Sequence, residues 1–123
     1  MNWSNKLVLI AEDEEANFML LEEILEESEI KIVRAKNGEE AIELFKENLP
    51  DVVLMDIKMP KLTGYEATAK IREINSTVPI IAQTAYIFES DRKRILTEGF
   101  TDYISKPIEE EALLSVLQKY LGE

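Results

Sequence analysis

Acidic, cationic and hydroxyl side chains stand at the ends of short apolar segments in this chain. They are Glu12, Asp13, Asp56, Thr84 and Lys106. Carboxylates that gather at one place repel one another unless a cation lies between them, and hard oxygen ligands favour Mg²⁺. An ammonium group and a hydroxyl can both pair with phosphoryl oxygens. These residue types therefore indicate a site that handles a divalent cation and phosphate.

The nucleophile of such a site must be chosen from a restricted set of side chains. The chain has no His and no Cys, so His-based triads, His or Cys metal ligands and thiolate nucleophiles are excluded. A carboxylate that attacks phosphorus and forms an aspartyl phosphate is most consistent with what remains. We predict Asp56 as this nucleophile, because it ends the apolar segment VVLMD that we place in the middle of a sheet. A metal ion and Lys106 would supply the positioning and charge neutralisation that phosphoryl transfer needs.

The elements that position these residues follow from the hydrophobic pattern. Short apolar segments alternate five times with segments of helical period, which predicts a parallel sheet covered by helices on both faces. The predicted strands are 6–11, 30–35, 52–56, 79–84 and 102–105, and the predicted helices are 15–27, 39–48, 64–75, 89–98 and 109–121. The fold is predicted to be a doubly wound, flavodoxin-like α/β domain with strand order 2-1-3-4-5. Ligands of such sheets bind beyond the carboxyl ends of the strands, where the polar residues fall.

Length and charge narrow the class of protein. A chain of 123 residues forms one hydrophobic core, so we predict a single domain over 1–123. The net charge of −11 argues against binding to nucleic acid or to an anionic membrane. The apolar run near the N-terminus is too short for a signal peptide or a membrane span, and cysteine is absent. We therefore expect a cytoplasmic protein.

Four segments carry a resemblance to a known family. They are AEDEEAN at 11–17, MDIKMPKLTGYEA at 55–67, PIIAQTA at 79–85 and DYISKPI at 102–108. In this order and at strand ends, they resemble the receiver domain of two-component response regulators, particularly the type attached to or paired with hybrid sensor kinases. The resemblance spans essentially the whole chain.

The resemblance implies a phosphorylation site and a metal site. Asp56 would be phosphorylated by the phosphohistidine of a sensor histidine kinase or of a histidine phosphotransfer protein. Asp13 and Asp56 would bind Mg²⁺, with Glu12 helping directly or through water. The backbone carbonyl of Lys58 would be a further ligand.

The resemblance also implies a switch. Thr84 would supply the switch hydroxyl, Tyr103 the aromatic ring that turns inward when Thr84 moves, and Lys106 the lysine that pairs with the phosphoryl group. The Lys106-Pro107 bond would be cis. Phosphorylation would remodel the face formed by the fourth helix, the fifth strand and the fifth helix, and a downstream effector protein would read that change. Catalysis would be limited to self-phosphotransfer and slow hydrolysis of the product.

Two apolar features are candidates for docking a kinase or a phosphotransfer helix bundle. The first is the bulky loop at 86–88, YIF. The second is the first helix, where an inward stripe of Leu20, Leu21, Ile24 and Leu25 would leave Met19 exposed and Phe18 at the edge.

Two other functions remain open at this point. A phosphatase of the haloacid-dehalogenase type also uses an aspartyl nucleophile, but it needs a second Asp two residues later, where this chain has Lys58. The other alternative is a degenerate receiver that acts as a constitutive binding module.

Overall fold

The sheet has five parallel strands in the order β2-β1-β3-β4-β5. A computed structural model describes residues 2–85 and 89–122. The strands are β1 (Leu7–Ala11), β2 (Lys31–Ala35), β3 (Val52–Asp56), β4 (Ile80–Thr84) and β5 (Asp102–Ser105). The helices are α1 (Glu15–Leu25), α2 (Gly38–Asn48), α3 (Gly64–Ile74), α4 (Glu89–Thr97) and α5 (Glu110–Leu121). The predicted fold class and strand order are confirmed, and the predicted boundaries differ from the observed ones by one or two residues.

The central strand β3 shows how the sheet separates two hydrophobic cores. Val52 and Leu54 pack in the core under α1 and α5, whereas Val53 and Met55 pack in the core under α2, α3 and α4. Alternate residues of a strand point to opposite faces, so Asp56 belongs to the α1/α5 face. Every residue of β3 is buried. Because Asp56 ends this buried strand, its carboxylate is removed from water.

Local hydrogen bonds fix where two of the helices begin. Thr63 and Glu66 form the capping box expected from the sequence, each side chain bonding the other residue's backbone N–H at the start of α3. Asn37 caps α2 by accepting a hydrogen bond from the backbone N–H of Glu40 at 2.9 Å. These caps set the helix starts that follow β2 and β3.

The first helix corrects three predictions. It ends at Leu25, and a 3-10 turn follows over Glu26–Ser28, so the helix is shorter than the predicted 15–27. Phe18 is buried, not at the exposed edge, because it packs in the core with Leu21 and Leu25, and the Arg34 guanidinium lies 4.4 Å from the centre of its ring. Leu20 is 37% exposed, so it does not belong to the inward stripe. Met19 is 57% exposed, as predicted.

Trp3, which precedes β1, has its indole ring buried in the protein. Trp3 is 1% exposed, and its Nε1 donates a hydrogen bond to the Gly122 carbonyl at 2.8 Å. The chain's one tryptophan therefore reports on the packing of the N-terminal segment against the end of α5.

Among the described residues, no helix is both long enough and apolar enough to cross a membrane.

Candidate functional site

A cavity of about 290 Å³ opens at the carboxyl edge of the sheet. Residues from the ends of β1, β3 and β4 and from the segment after β5 line it. Those that the sequence predicted are Glu12, Asp13, Asp56, Lys58, Thr84 and Lys106. The structure therefore brings all the predicted site residues together except Tyr103, which lies elsewhere.

Strand register explains why the carboxylates converge. Ala11 pairs with Met55, so the residues that follow β1 lie beside the end of β3. One carboxylate oxygen each from Glu12, Asp13 and Asp56 lie within 4.8 Å of one another. Glu12 is fully buried and Asp56 is 5% exposed, whereas Asp13 is exposed. Three hard oxygen donors at this separation, one of them open to solvent, suit a divalent cation such as Mg²⁺.

The Asp56 carboxylate is oriented by two donors. Its Oδ1 accepts a hydrogen bond from the backbone N–H of Lys58 at 3.2 Å, and its Oδ2 accepts one from Lys106 Nζ at 3.1 Å. The pKa of Asp56 is raised from 3.8 to about 6, first because the carboxylate is buried and second because the Glu12 charge lies nearby, while Lys106 and the Lys58 N–H oppose the rise. At pH 7 the ionised form of Asp56 therefore predominates.

Lys106 bridges the two buried acids. Its Nζ lies 3.1 Å from Asp56 Oδ2 and 3.4 Å from Glu12 Oε1. Burial alone would lower the pKa of Lys106, but the hydrogen bond and the charge of Asp56, together with Glu12, raise it overall. The backbone N–H of Lys106 also donates to the Thr84 carbonyl at 2.8 Å. The ammonium is thus held as a cation beside Asp56, and the Lys106-Pro107 bond is cis, as the resemblance implied.

Arg34 on β2 is part of the site, although sequence reasoning missed it. Its Nε and Nη2 each donate to the Glu12 carbonyl at 3.2 Å, and its Nη1 pairs with Glu15 Oε2 at 2.7 Å. A hydrogen bond and the charge of Arg34 lower the pKa of Glu15. Arg34 therefore holds the backbone of the acidic segment after β1. The strand register that pairs Arg34 with Ile10 would have identified Arg34 as a site residue. Because this register joins segments that are distant in sequence, the local pattern does not show it.

Two amides, Asn17 on α1 and Gln83 on β4, were also missed. Asn17 Nδ2 donates to Glu12 Oε1, and it lies 3.3 Å from Gln83 Oε1. Gln83 pairs in register with Asp56, is fully buried and lines the cavity. Its Nε2 has no hydrogen-bond partner in the described part of the chain.

Tyr103 lies outside the acidic cavity. It is half-buried on β5, and it lines a separate cavity of about 490 Å³ between α4 and α5 together with Arg92, whose guanidinium carbon is 6.0 Å from the Tyr103 ring. Thr84 is half-buried and does line the acidic cavity. The apolar loop at 86–88 lies outside the described residues.

Comparison with known proteins identifies the family. The model of the response regulator receiver domain matches residues 8–118. The polar-differentiation response regulator DivK of Brucella anthropi is 38% identical over 120 residues, covering 96% of this chain and 98% of its own. The receiver domain of a Pseudomonas aeruginosa sensor histidine kinase, crystallised with a magnesium ion coordinated in its active-site cleft, aligns with a TM-score of 0.87. It is 32% identical, and the alignment covers 96% of this chain and 98% of that domain.

A second similar structure contains a partner. The Saccharomyces cerevisiae receiver domain of Ssk1, crystallised with the histidine phosphotransfer protein Ypd1, aligns with a TM-score of 0.89 and 31% identity, covering 94% of this chain and 88% of that one. The doubly wound fold and the acidic cavity define the class of α/β signalling domains with an aspartate at the end of the central strand. This chain belongs to the response regulator receiver domain family of two-component signalling.

Proposed function

We propose that this chain is a phosphoacceptor signalling domain in which Asp56 takes a phosphoryl group from a phosphohistidine. The observation that carries the proposal is the placement of Asp56 at the end of the central strand, with one oxygen held by the Lys58 N–H and the other by Lys106 Nζ. A carboxylate held in this way has a fixed direction of approach, which phosphoryl transfer rewards. We assign the whole of 1–123 to one receiver domain.

The chain's own groups can perform the transfer step. Asp56 is mostly ionised at pH 7, so a carboxylate oxygen is available to attack phosphorus. The new O–P bond forms as the P–N bond of the phosphohistidine breaks, and the electron pair of that bond stays on the imidazole nitrogen. Lys106 pairs with the phosphoryl oxygens as its contact with Asp56 is released, and the Thr84 hydroxyl donates a hydrogen bond to the same group.

The acidic cluster fits a magnesium ion. Asp13, Asp56 and the Lys58 carbonyl would hold it, with Glu12 helping directly or through water. Two observations support this set: the three carboxylate oxygens lie within 4.8 Å of one another, and a similar receiver from P. aeruginosa has Mg²⁺ in its cleft. When bound, the ion would neutralise the charge that builds up on the phosphoryl oxygens.

The output is a population shift of the face built by α4, β5 and α5. Within α4 the residue that is buried is Ile95, so few core contacts hold this helix. Tyr103 lines the cavity on that face, and its strand continues directly into Lys106. Drawing Thr84 and Lys106 toward a new phosphoryl group would alter the packing of Tyr103, and an effector protein would read the altered face.

The partner that supplies the phosphoryl group is a sensor histidine kinase or a histidine phosphotransfer protein. The similar Ssk1 receiver was crystallised with such a protein. Met19 and Leu20 on α1 are exposed apolar residues and would contact a helix bundle. We assign the chain to the receivers attached to or paired with hybrid sensor kinases and to the cytoplasm. Its catalysis would be limited to its own phosphorylation and slow hydrolysis of the product.

The test is phosphorylation of the purified chain in Mg²⁺ with a small phosphodonor such as acetyl phosphate. Intact-mass measurement should show a phosphoryl adduct that is labile to base and does not form when Mg²⁺ is chelated before the donor is added. Asp56→Asn should form no adduct. The matched control is Asp51→Asn, which changes an exposed carboxylate at the other end of β3 and should be labelled like the parent protein.

Two results would contradict the proposal. Equal labelling of Asp56→Asn and the parent would show that another residue is the acceptor. Steady release of phosphate from added esters without an aspartyl adduct would favour the phosphatase alternative. The sequence argues against that alternative, because Lys58 occupies the position at which such a phosphatase needs its second Asp.

A further inference from the structure

Gln83 has a buried side-chain amide, and the stability of the fold does not explain why a polar residue occupies this position. It sits beside Asp56 on the α1/α5 face of the sheet, fully buried, and its Nε2 has no hydrogen-bond partner among the described residues. Burying a donor without a partner costs stability, and an apolar side chain of the same size would avoid that cost. A role other than packing must therefore explain why this position is Gln.

Hydrogen-bond chemistry fixes how Gln83 is connected to the acidic cluster. An ionised Glu12 can only accept, so Asn17 must present its Nδ2 to Glu12 Oε1. The second hydrogen of that Nδ2 is then directed to Gln83 Oε1, 3.3 Å away. Gln83 must use its oxygen toward Asn17, which leaves its Nε2 as the unpartnered end. The three side chains are thus connected through Asn17, whose Nδ2 donates to Glu12 on one side and to Gln83 on the other.

Glu12 requires such support because of its length. Its carboxylate is separated from the backbone by one more rotatable bond than that of an Asp, so it has more orientations to lose. Its other contacts are a hydrogen bond from the Glu14 N–H at 3.2 Å and the Lys106 ammonium at 3.4 Å. Lys106 is also bonded to Asp56, so it does not hold Glu12 alone.

We propose that Asn17 and Gln83 are positioning residues that hold the Glu12 carboxylate in the orientation that the divalent-cation site uses, and that they thereby set the affinity for Mg²⁺. This inference rests on the metal site of the proposed function. Removing hydrogen-bond partners of metal ligands typically weakens metal binding by about 10-fold to 100-fold.

The experiment is calorimetric titration of the full chain with magnesium chloride, combined with thermal unfolding of the metal-free protein. Gln83→Leu should weaken Mg²⁺ binding about 10-fold. It should not lower the unfolding temperature, because it removes an unpaired buried donor. Gln83→Met, which keeps the length of the side chain, is a second variant for the same measurement.

Thr68→Val is the matched control. Thr68 on α3 is also fully buried with an unpartnered oxygen among the described residues, but it lies across the sheet from Glu12. Thr68→Val should leave Mg²⁺ affinity unchanged. Asn17→Ala should weaken binding at least as much as Gln83→Leu, and adding Gln83→Leu to Asn17→Ala should have no further effect, because both act through one chain of hydrogen bonds.

The outcomes separate this inference from the function on which it rests. If the parent binds Mg²⁺ and Gln83→Leu and Gln83→Met bind it equally well, the positioning role is refuted while the metal site stands. The positioning role would also be refuted if the losses of Mg²⁺ affinity in Asn17→Ala and Gln83→Leu multiplied in the double variant. A similar loss of Mg²⁺ affinity in Thr68→Val would refute it too. A parent protein that binds no Mg²⁺ would overturn both proposals.

Discussion

Replacing Asp56 with Asn should stabilise the metal-free protein at neutral pH, although the side chain lies in the proposed phosphorylation site. The pKa of Asp56 is raised from 3.8 to about 6, mainly because the folded protein removes the carboxylate from water. Between these two values the unfolded chain has already lost its proton while the folded chain keeps it. The parent protein therefore loses stability as the pH rises through this window, and the loss is complete above the folded pKa.

The size of the effect follows from the shift. A difference of roughly two pKa units corresponds to about 3 kcal/mol, which is an upper limit for the gain on removing the charge. The variant also weakens the contact of Lys106 with residue 56, although Lys106 keeps Glu12 at 3.4 Å. We therefore expect Asp56→Asn to be more stable than the parent by about 1 to 3 kcal/mol above pH 7, with the gain disappearing below about pH 4.

Urea unfolding in the presence of a chelator, followed by the fluorescence of Trp3, measures this difference from about pH 4 to pH 8. Asp51→Asn is the control, because Asp51 is exposed at the other end of β3 and its replacement should bring no gain. Added Mg²⁺ should stabilise the parent but not Asp56→Asn, so the gap between them should narrow. A variant that is less stable than the parent at pH 7, or a gain that does not change with pH, would refute the electrostatic reasoning.

Three further substitutions test contacts around the site, each by urea unfolding against the parent. Arg34→Gln should cost about 1 to 3 kcal/mol, because it removes two donors from the Glu12 carbonyl and the cover of an aromatic ring; an unchanged stability would contradict that role. Gly64→Ala should cost about 1 to 3 kcal/mol, since a Cβ would overlap the Asp56 carbonyl; a neutral result would show that α3 can shift freely. Arg72→Met should cost about 2 to 4 kcal/mol by removing the donor of three backbone carbonyls; an unchanged stability would contradict that role.

The residues that end strands could be predicted from sequence, because local pattern and sheet geometry decide their position together. Asp56 ends a continuous apolar segment, and parallel strands place their carboxyl ends at one edge. Once β3 is assigned, its end and the ends of β1 and β4 must be neighbours. The convergence of Glu12, Asp13, Asp56 and Thr84 needed no knowledge of side-chain contacts. The same reasoning did not extend to Tyr103, whose ring lies near Arg92 of α4 and outside the acidic cavity.

The supporting residues could not be predicted, because they depend on pairings between distant segments. Arg34 reaches the Glu12 carbonyl across the β1/β2 register, and Gln83 reaches Asn17 between a strand and a helix. An Arg in a strand and a Gln in an apolar segment have no local signature of such contacts. The predicted inward stripe of α1 was also misplaced, since Phe18 and not Leu20 packs in the core with Leu21 and Leu25.

Side-chain length in the site matches the geometry of the sheet. β4 separates β5 from β3, so the backbones at Lys106 and Asp56 are about two strand spacings apart, roughly 10 Å. Lys106 Nζ nevertheless lies 3.1 Å from Asp56 Oδ2, which requires a long side chain with its charge at the tip. Thr84 stands on the intervening strand, where a short hydroxyl suffices. The strand order thus explains why the cation comes from the farther strand and the hydroxyl from the nearer one, and why exchanging them would leave both groups misplaced.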